Sequence, residues 1–403
     1  MIENFTYIRY TVYVKKIKAS ILVASFLFAA ILPNISLSEN IQEEDPFGAV
    51  EQIEKAWGLV ASGQFKEAIP LFANIINDYP DFSDAYNGRG LSYLTIGDYD
   101  NAIKDFNKVI QLNPDFADIY ESRGYCFYAK GDLDKALLDY NSAISISPTM
   151  ASAYSDRANI KRMKGNINEA LDDYTKAVTL DPMLDEAFFY RAQLYSSIGG
   201  IDNAIKDYNQ VLTLNPRSAE TFACRGLAYQ RKGDMQKALD DYNASLEIDP
   251  EFDPVSIFIN RGNAYKAVGE NEKAFAEFNK AVVIDPEDVD AVVYRGIAYS
   301  QTGKIKEAIT DFNKAISLDP KSAGAYYNRG KMHAVRKDYN KAIADYTKAL
   351  KFKPDAAVFY FRRAQAFLLK KRYKKSYDDM KKAESLGYKV PKEFSEKLKQ
   401  AMQ

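Results

Sequence analysis

Residues 83–116 read SDAYNGRGLSYLTIGDYDNAIKDFNKVIQLNPDF, and residues 117–150 read ADIYESRGYCFYAKGDLDKALLDYNSAISISPTM in the same register. Each stretch holds two helical patterns, broken by a Gly-Asp step and closed by a proline. The interval repeats outward from there. Prolines stand at 80, 114, 148, 182, 216 and 250, every 34 residues, and then, after one 36-residue step, at 286, 320 and 354. An insertion at Asp253 and Pro254 absorbs the longer step. Such repetition overrides the two or three globular domains that a length of 403 residues would otherwise suggest.

Counting each proline as position 32 aligns the rest of the chain. Glycine holds position 15 from Gly63 and Gly97 to Gly303, and alanine holds position 20 from Ala68 and Ala102 to Ala342. An aromatic fills position 24 from Phe72 and Phe106 to Tyr346, and position 8 is Gly or Ala, as in Gly90, Ala158 and Gly296. Positions 4, 7, 8 and 11 share one face of a first helix, while 20, 24 and 27 share one face of a second. Small residues at 8 and 20 let the helices approach closely, and rings at 4 and 24 fill the adjoining space. Glycine at 15 supplies a left-handed turn, and proline at 32 cannot continue the second helix. No period-2 stretch long enough for a strand stands outside these helices.

This pattern resembles the tetratricopeptide repeat over about 49–386. The resemblance implies an all-α, right-handed superhelical solenoid of about ten 34-residue helix-turn-helix repeats, with first helices lining a concave groove. Departures fall at the ends, as capping repeats require. The first repeat has Gln52 and Lys55 where others have an aromatic and Arg; the last two have Lys337 and Lys371 for the turn glycine; the tenth has Ser376 and Met380 for Ala and the aromatic. Residues 387–403 then read as a C-terminal cap, with KEFSEKLKQAM as a polar helix.

Position 7, usually apolar in this family, is arginine in nine repeats, and position 23 is acidic in the same nine. The partners are Arg89 with Asp105, Arg123 with Asp139, Arg157 with Asp173, Arg191 with Asp207, Arg225 with Asp241, Arg261 with Glu277, Arg295 with Asp311, Arg329 with Asp345 and Arg363 with Asp379. A partly buried guanidinium needs a carboxylate. The first repeat has Lys55 and Leu71 at these positions, so the joint absence favours pairing within a repeat. A structural ion-pair ladder is the reading set against a row that grips anionic ligands.

The family geometry places positions 2, 5, 9, 12 and 13 on the groove. That nominates Asn87, Leu91, Tyr125, Asn159, Phe189, Gln193, Asn263, Tyr327 and Phe361 as peptide contacts. Rings supply area and amides can bond a peptide backbone, which suits peptide segments of other proteins. The clamp that some relatives use for heat-shock chaperone carboxylates needs Lys at position 5, and no repeat has it. Trp57 serves as an anchor or packs the end repeat.

Net charge is −1, which predicts no broad attraction to nucleic acid. It is unevenly spread: residues 357–403 carry a net +8 and 39–356 a net −12. The run KKRYKK at 370–375 suits an anionic membrane or acidic partner, or a solvated end. Two cysteines, Cys126 and Cys224, and one histidine, His333, leave no material for a disulfide framework or a Cys/His metal cage. No cofactor motif and no catalytic constellation stands out, so an enzyme is not expected.

Residues 19–32, ASILVASFLFAAIL, form an uncharged run behind the basic cluster Lys15, Lys16 and Lys18. As a helix it spans about 21 Å, short of a roughly 30 Å hydrocarbon core. Residues 1–38 are therefore expected to be a signal peptide, with Ser36 and Ser38 at the cleavage positions; the alternative is a membrane anchor at 19–32. Residues 39–48 read as an acidic linker. The function expected is an exported, non-catalytic interaction scaffold. The alternatives are a spacer bound through its ends and a recruiting subunit for a separate enzyme.

Overall fold

The computed structural model describes residues 46–403, with side chains from Glu51 onward. The leader expected at 1–38 and residues 39–45 of the linker lie outside the described residues. The first helix, Pro46–Ala61, starts three residues before the expected linker boundary. Proline at a helix start loses no hydrogen bond and presets the backbone angle.

All regular structure among the described residues is helical: twenty helices, two to a repeat, then a single helix, Lys392–Met402. The chain divides into two units, Met1–Leu194 and Tyr195–Gln403, the boundary falling inside the helix Asp185–Ser197. Each unit is a stack of helix pairs.

In the first unit, the pair Ser83–Thr95 and Tyr99–Leu112 shows how sequence sets the local structure. Gly97 takes φ +84°, and the following amide, Asp98 N–H, reaches back to the Tyr93 carbonyl at 2.8 Å. That closes the first helix. The Asp98 side chain then accepts from the Asn101 amide and caps the second helix. The Gly-Asp step thus ends one helix and starts the next. In the second unit, Lys337 and Lys371 occupy the same turn position with φ of 62° and 57°. These side chains are forced into backbone space that glycine enters freely.

The core is made between repeats. In the first unit, Leu94, Ala102 and Phe106 of one repeat share a cluster with Ile119 and Cys126 of the next. In the second, Ala281 and Val282 pack with Ala291, Val292, Ala315 and Ala325, drawn from three consecutive repeats. The rings at position 24 lie at the centre, with Phe106, Tyr174, Tyr242 and Phe312 fully buried. Position 8 must be small because of them. A Cβ on Gly296 would sit 2.8 Å from Cε1 of Phe312 and 3.2 Å from Cβ of Asp311.

The atypical residues follow from the ends of the stack. Gln52 and Lys55 are exposed, with no described helix packed before them. At the other end, Leu398 of the last helix is fully buried against Ala364 and Met380. Ser376, standing for alanine, donates its hydroxyl to the Ala364 carbonyl at 2.8 Å.

Two substitutions separate these constraints. Gly296→Ala should destabilise by about 1–3 kcal/mol, because the ring beneath must move. Lys337→Gly should stabilise by up to about 1 kcal/mol by removing a left-handed lysine. Urea denaturation of each variant beside the parent chain checks both signs.

Candidate functional site

Eight of the Arg–acid partners lie within a single unit, and in all eight the two side chains meet. Arg89 Nε and Nη2 donate to the two oxygens of Asp105, each at 2.8 Å. Arg225 repeats the fork on Asp241 at 2.9 and 2.7 Å, and Arg329 on Asp345 at 2.9 and 2.6 Å. In the seventh repeat the longer Glu277 accepts from Arg261 at 2.7 Å and turns its other oxygen to Lys280. The ninth combination, Arg191 and Asp207, has one member in each unit.

The guanidinium's remaining nitrogen is also used, and the sequence reading missed its partner. Arg123 Nη1 donates to Asn107 at 2.6 Å, Arg157 to Asn141 at 2.8 Å, Arg225 to Asn209 at 2.6 Å and Arg329 to Asn313 at 2.8 Å. These amides sit at position 25 of the preceding repeat. Threonine replaces asparagine at Thr175 and Thr347, which take Arg191 and Arg363. The first repeat has Ala73 there. Asparagine stands at position 25 in six repeats and could have been found by the same count. Eight of the nine guanidiniums also lie 5.2–5.7 Å over the ring at position 4, as Arg225 does over Phe222 and Arg261 over Phe258, while Arg295, with Val292 at that position, lies 6.0 Å over Tyr299. With its donors and one face occupied, this row is built to clamp second helix, first helix and second helix together.

The nominated groove residues divide. Asn159 is 7% exposed and accepts the Tyr174 hydroxyl at 2.8 Å. Phe189 is 9% exposed, with Tyr190 5.6 Å away. Phe361 is 3% exposed, covered by Tyr388 at 4.8 Å and by Phe394 of the last helix at 5.1 Å. These three are therefore packing residues and not open contacts. In the second unit the reason at position 5 is geometric: it turns toward the next repeat's first helix, as Tyr327 shows by stacking on Phe359 at 4.3 Å, whereas Asn159, at position 9, is taken up by a ring of its own repeat. Asn87, Leu91, Tyr125, Gln193, Asn263 and Tyr327 are half-buried. Leu91 joins the Phe106 cluster and Tyr125 lies edge-on to Tyr99. Trp57 packs edge-on against Phe72 at 5.6 Å and belongs to the first repeat's core.

The open apolar surface lies one turn further on, at positions 13 and 14. In the first unit it is Met163; in the second it is Ile198, Val268, Val335 and Leu369, all exposed. In the last two repeats these side chains border an open pocket of about 470 Å³, with Lys331, Arg362, Gln365, Phe394 and Lys397 on its walls.

Models of the tetratricopeptide repeat match residues 83–116, 219–252 and 323–356, a second set of TPR repeat matches covers 124–165, 195–233, 262–303 and 296–334, and a third covers 151–182. Together they span more than half of the sequence. The chain is a tetratricopeptide repeat protein. A tetratricopeptide repeat protein from Parabacteroides merdae is 25% identical, covering 71% of this chain and 99% of its own, with a TM-score of 0.49. The Cut9–Hcn1 hetero-tetramer of APC/C gives 14% identity, 88% and 84% coverage and a TM-score of 0.51. YrrB, described as a TPR protein with an unusual peptide-binding site, is 24% identical over 46% of this chain and 95% of its own, with a TM-score of 0.38. No curated protein matches the chain.

Within this tetratricopeptide frame the reactive residue types are packed. Cys126 is fully buried, and burial, with Asp139 adding to it, pushes its thiol up to about 12, so it stays protonated. His333 holds Nε2 3.8 Å from Asp345, and burial keeps its imidazole below the ordinary value. Among the described residues no three His, Cys, Asp or Glu side chains gather as a metal would need. No described helix is long and apolar enough to cross a membrane. The basic residues of 370–375 are exposed.

The ladder is open to a direct check. Asp241 is 5% exposed, and burial raises its carboxyl even though Arg225 pulls the other way. Stranding it should be expensive: Arg225→Leu should cost about 3–5 kcal/mol. Adding Asp241→Leu should recover part of that loss. Separate losses that simply add would show the two side chains to be independent.

Proposed function

We propose that this chain is a non-catalytic interaction scaffold that holds segments of partner proteins on the open face of its first helices. The observation that carries this reading is the set of exposed aliphatic side chains at the ends of four first helices, those of the fifth, seventh, ninth and tenth repeats: Ile198, Val268, Val335 and Leu369. A folded chain gains by covering such side chains, and on the first helices these are the large apolar residues left exposed in the second unit. The half-buried Gln365 amide shares a pocket with Val335 and Leu369 and can bond an extended backbone. Export through the leader at 1–38 belongs to the same proposal, with a mature chain beginning at Glu39; N-terminal sequencing of the protein from its own cells would contradict it by finding an intact leader.

The scaffold reading is tested with Val335→Ser/Leu369→Ser beside Leu138→Ser/Val283→Ser, whose exposed residues lie on second helices. All four sites are at the surface, so melting temperatures should stay close to the parent. Tyr125, Tyr327 and Phe361 are poorer probes, because their rings are packed. Affinity purification should lose its specific partners with the first pair and keep them with the second. A spacer bound through its ends predicts no loss with either pair, and loss instead on neutralising Lys370, Lys371 and Lys374.

A further inference from the structure

The pocket between the last two repeats differs in charge from the rest of the first-helix face. Lys331 sits at position 9 and Arg362 at position 6, and no other repeat has Lys or Arg at either position. Lys397 reaches the same pocket from the last helix. Adjacent arginines make the contrast plain. Arg363 forks onto Asp379 at 2.7 and 2.8 Å, whereas Arg362 donates only to the Gln365 amide oxygen at 3.1 Å. Among the described residues no carboxylate lies within ion-pairing distance of Lys331, Arg362 or Lys397.

Three cations thus gather without a counter-charge in a molecule that pairs its ladder arginines. The arrangement is unfavourable on its own. Lys331 is half-buried over the Tyr327 ring at 5.7 Å, and burial, with Arg362 and Lys266 repelling it, lowers its ammonium from the ordinary value. An incoming carboxylate would relieve that repulsion inside a partly desolvated recess, where charge-assisted hydrogen bonds are strong. The rim is aliphatic: Val335 is 63% exposed and Leu369 53%.

We propose that the Lys331–Arg362–Lys397 pocket recognises a partner segment in which a carboxylate lies within a few residues of an aliphatic side chain. The acid would meet the cations while the aliphatic group covers Val335 and Leu369. This rests on the scaffold reading and specifies the chemistry of its partner. A carboxylate can come from Asp or Glu within a segment or from a chain terminus, and the test separates these sources.

The experiment is a hexapeptide array synthesised in two forms, C-terminally amidated and free acid, probed with the full chain. It is repeated with Lys331→Gln/Arg362→Gln and with Lys374→Gln/Lys375→Gln, a control for general basic charge. Arg362, Lys374 and Lys375 are exposed, and glutamine keeps most of the Lys331 stem, so melting should stay close to the parent. The strongest peptides should hold Asp or Glu within about three residues of Leu, Ile, Val or Met. Their binding should fall at least about ten-fold with the first variant and hold with the control. Binding confined to free-acid peptides, with the same loss, supports the site and assigns the carboxylate to a terminus. Peptides that bind without acids, or equally well to the Lys331/Arg362 variant, overturn this proposal and leave the scaffold standing. An array that captures no peptide overturns both.

Discussion

A helix pair of this length cannot hide its own apolar side, and every other property of the chain follows from that. The ring at position 24 is buried only because the small residue at position 8 lets two helices close over it, and the next repeat's first helix completes the cover. A single glycine therefore carries a steric demand: at Gly296 one methyl group would meet Phe312 at 2.8 Å. Stability in such a stack accrues interface by interface, with no central core to draw on.

The arginine at position 7 adds direction to what hydrophobic burial leaves loose. Apolar contact has no preferred angle, but a fork on a buried carboxylate plus a third bond to the preceding repeat has one. Arg225 fixes Asp241 and Asn209 at the same time, and so sets how one helix pair seats on another. Partly buried ion pairs contribute little net stability, because desolvation offsets attraction. Their effect here is geometric: they fix the packing and leave the ends of the first helices free to face partners. Where a cation lacks this bracket, as at Arg362, it is available for something else.

Periodicity made most of this legible in the sequence. Turn glycines, buried alanines, core rings and the Arg–Asp partners all recur at one interval, and repetition turns a weak local preference into a strong signal. The asparagine at position 25 recurs as well and was overlooked, because a bond between repeats is invisible when each repeat is read alone. The same blindness misplaced Phe361, which Phe394 of the last helix covers. Asn159 was misplaced within its own repeat, because a count of positions does not show that its amide is taken by the Tyr174 hydroxyl. The Lys331 and Arg362 pocket was beyond reach for the opposite reason: it breaks the pattern, joining different positions of two repeats with a residue from the cap.

The account stands on neighbour-by-neighbour stability, and shortening the second unit from its free end measures that most directly. Chains ending at residue 390 and at residue 356 would lose first the capping helix and then the tenth repeat as well. Circular dichroism with urea denaturation should show helix content per remaining residue holding constant while stability falls in two steps. Collapse of the whole helical signal on losing either piece would contradict it, since that is how a molecule with one indivisible core behaves.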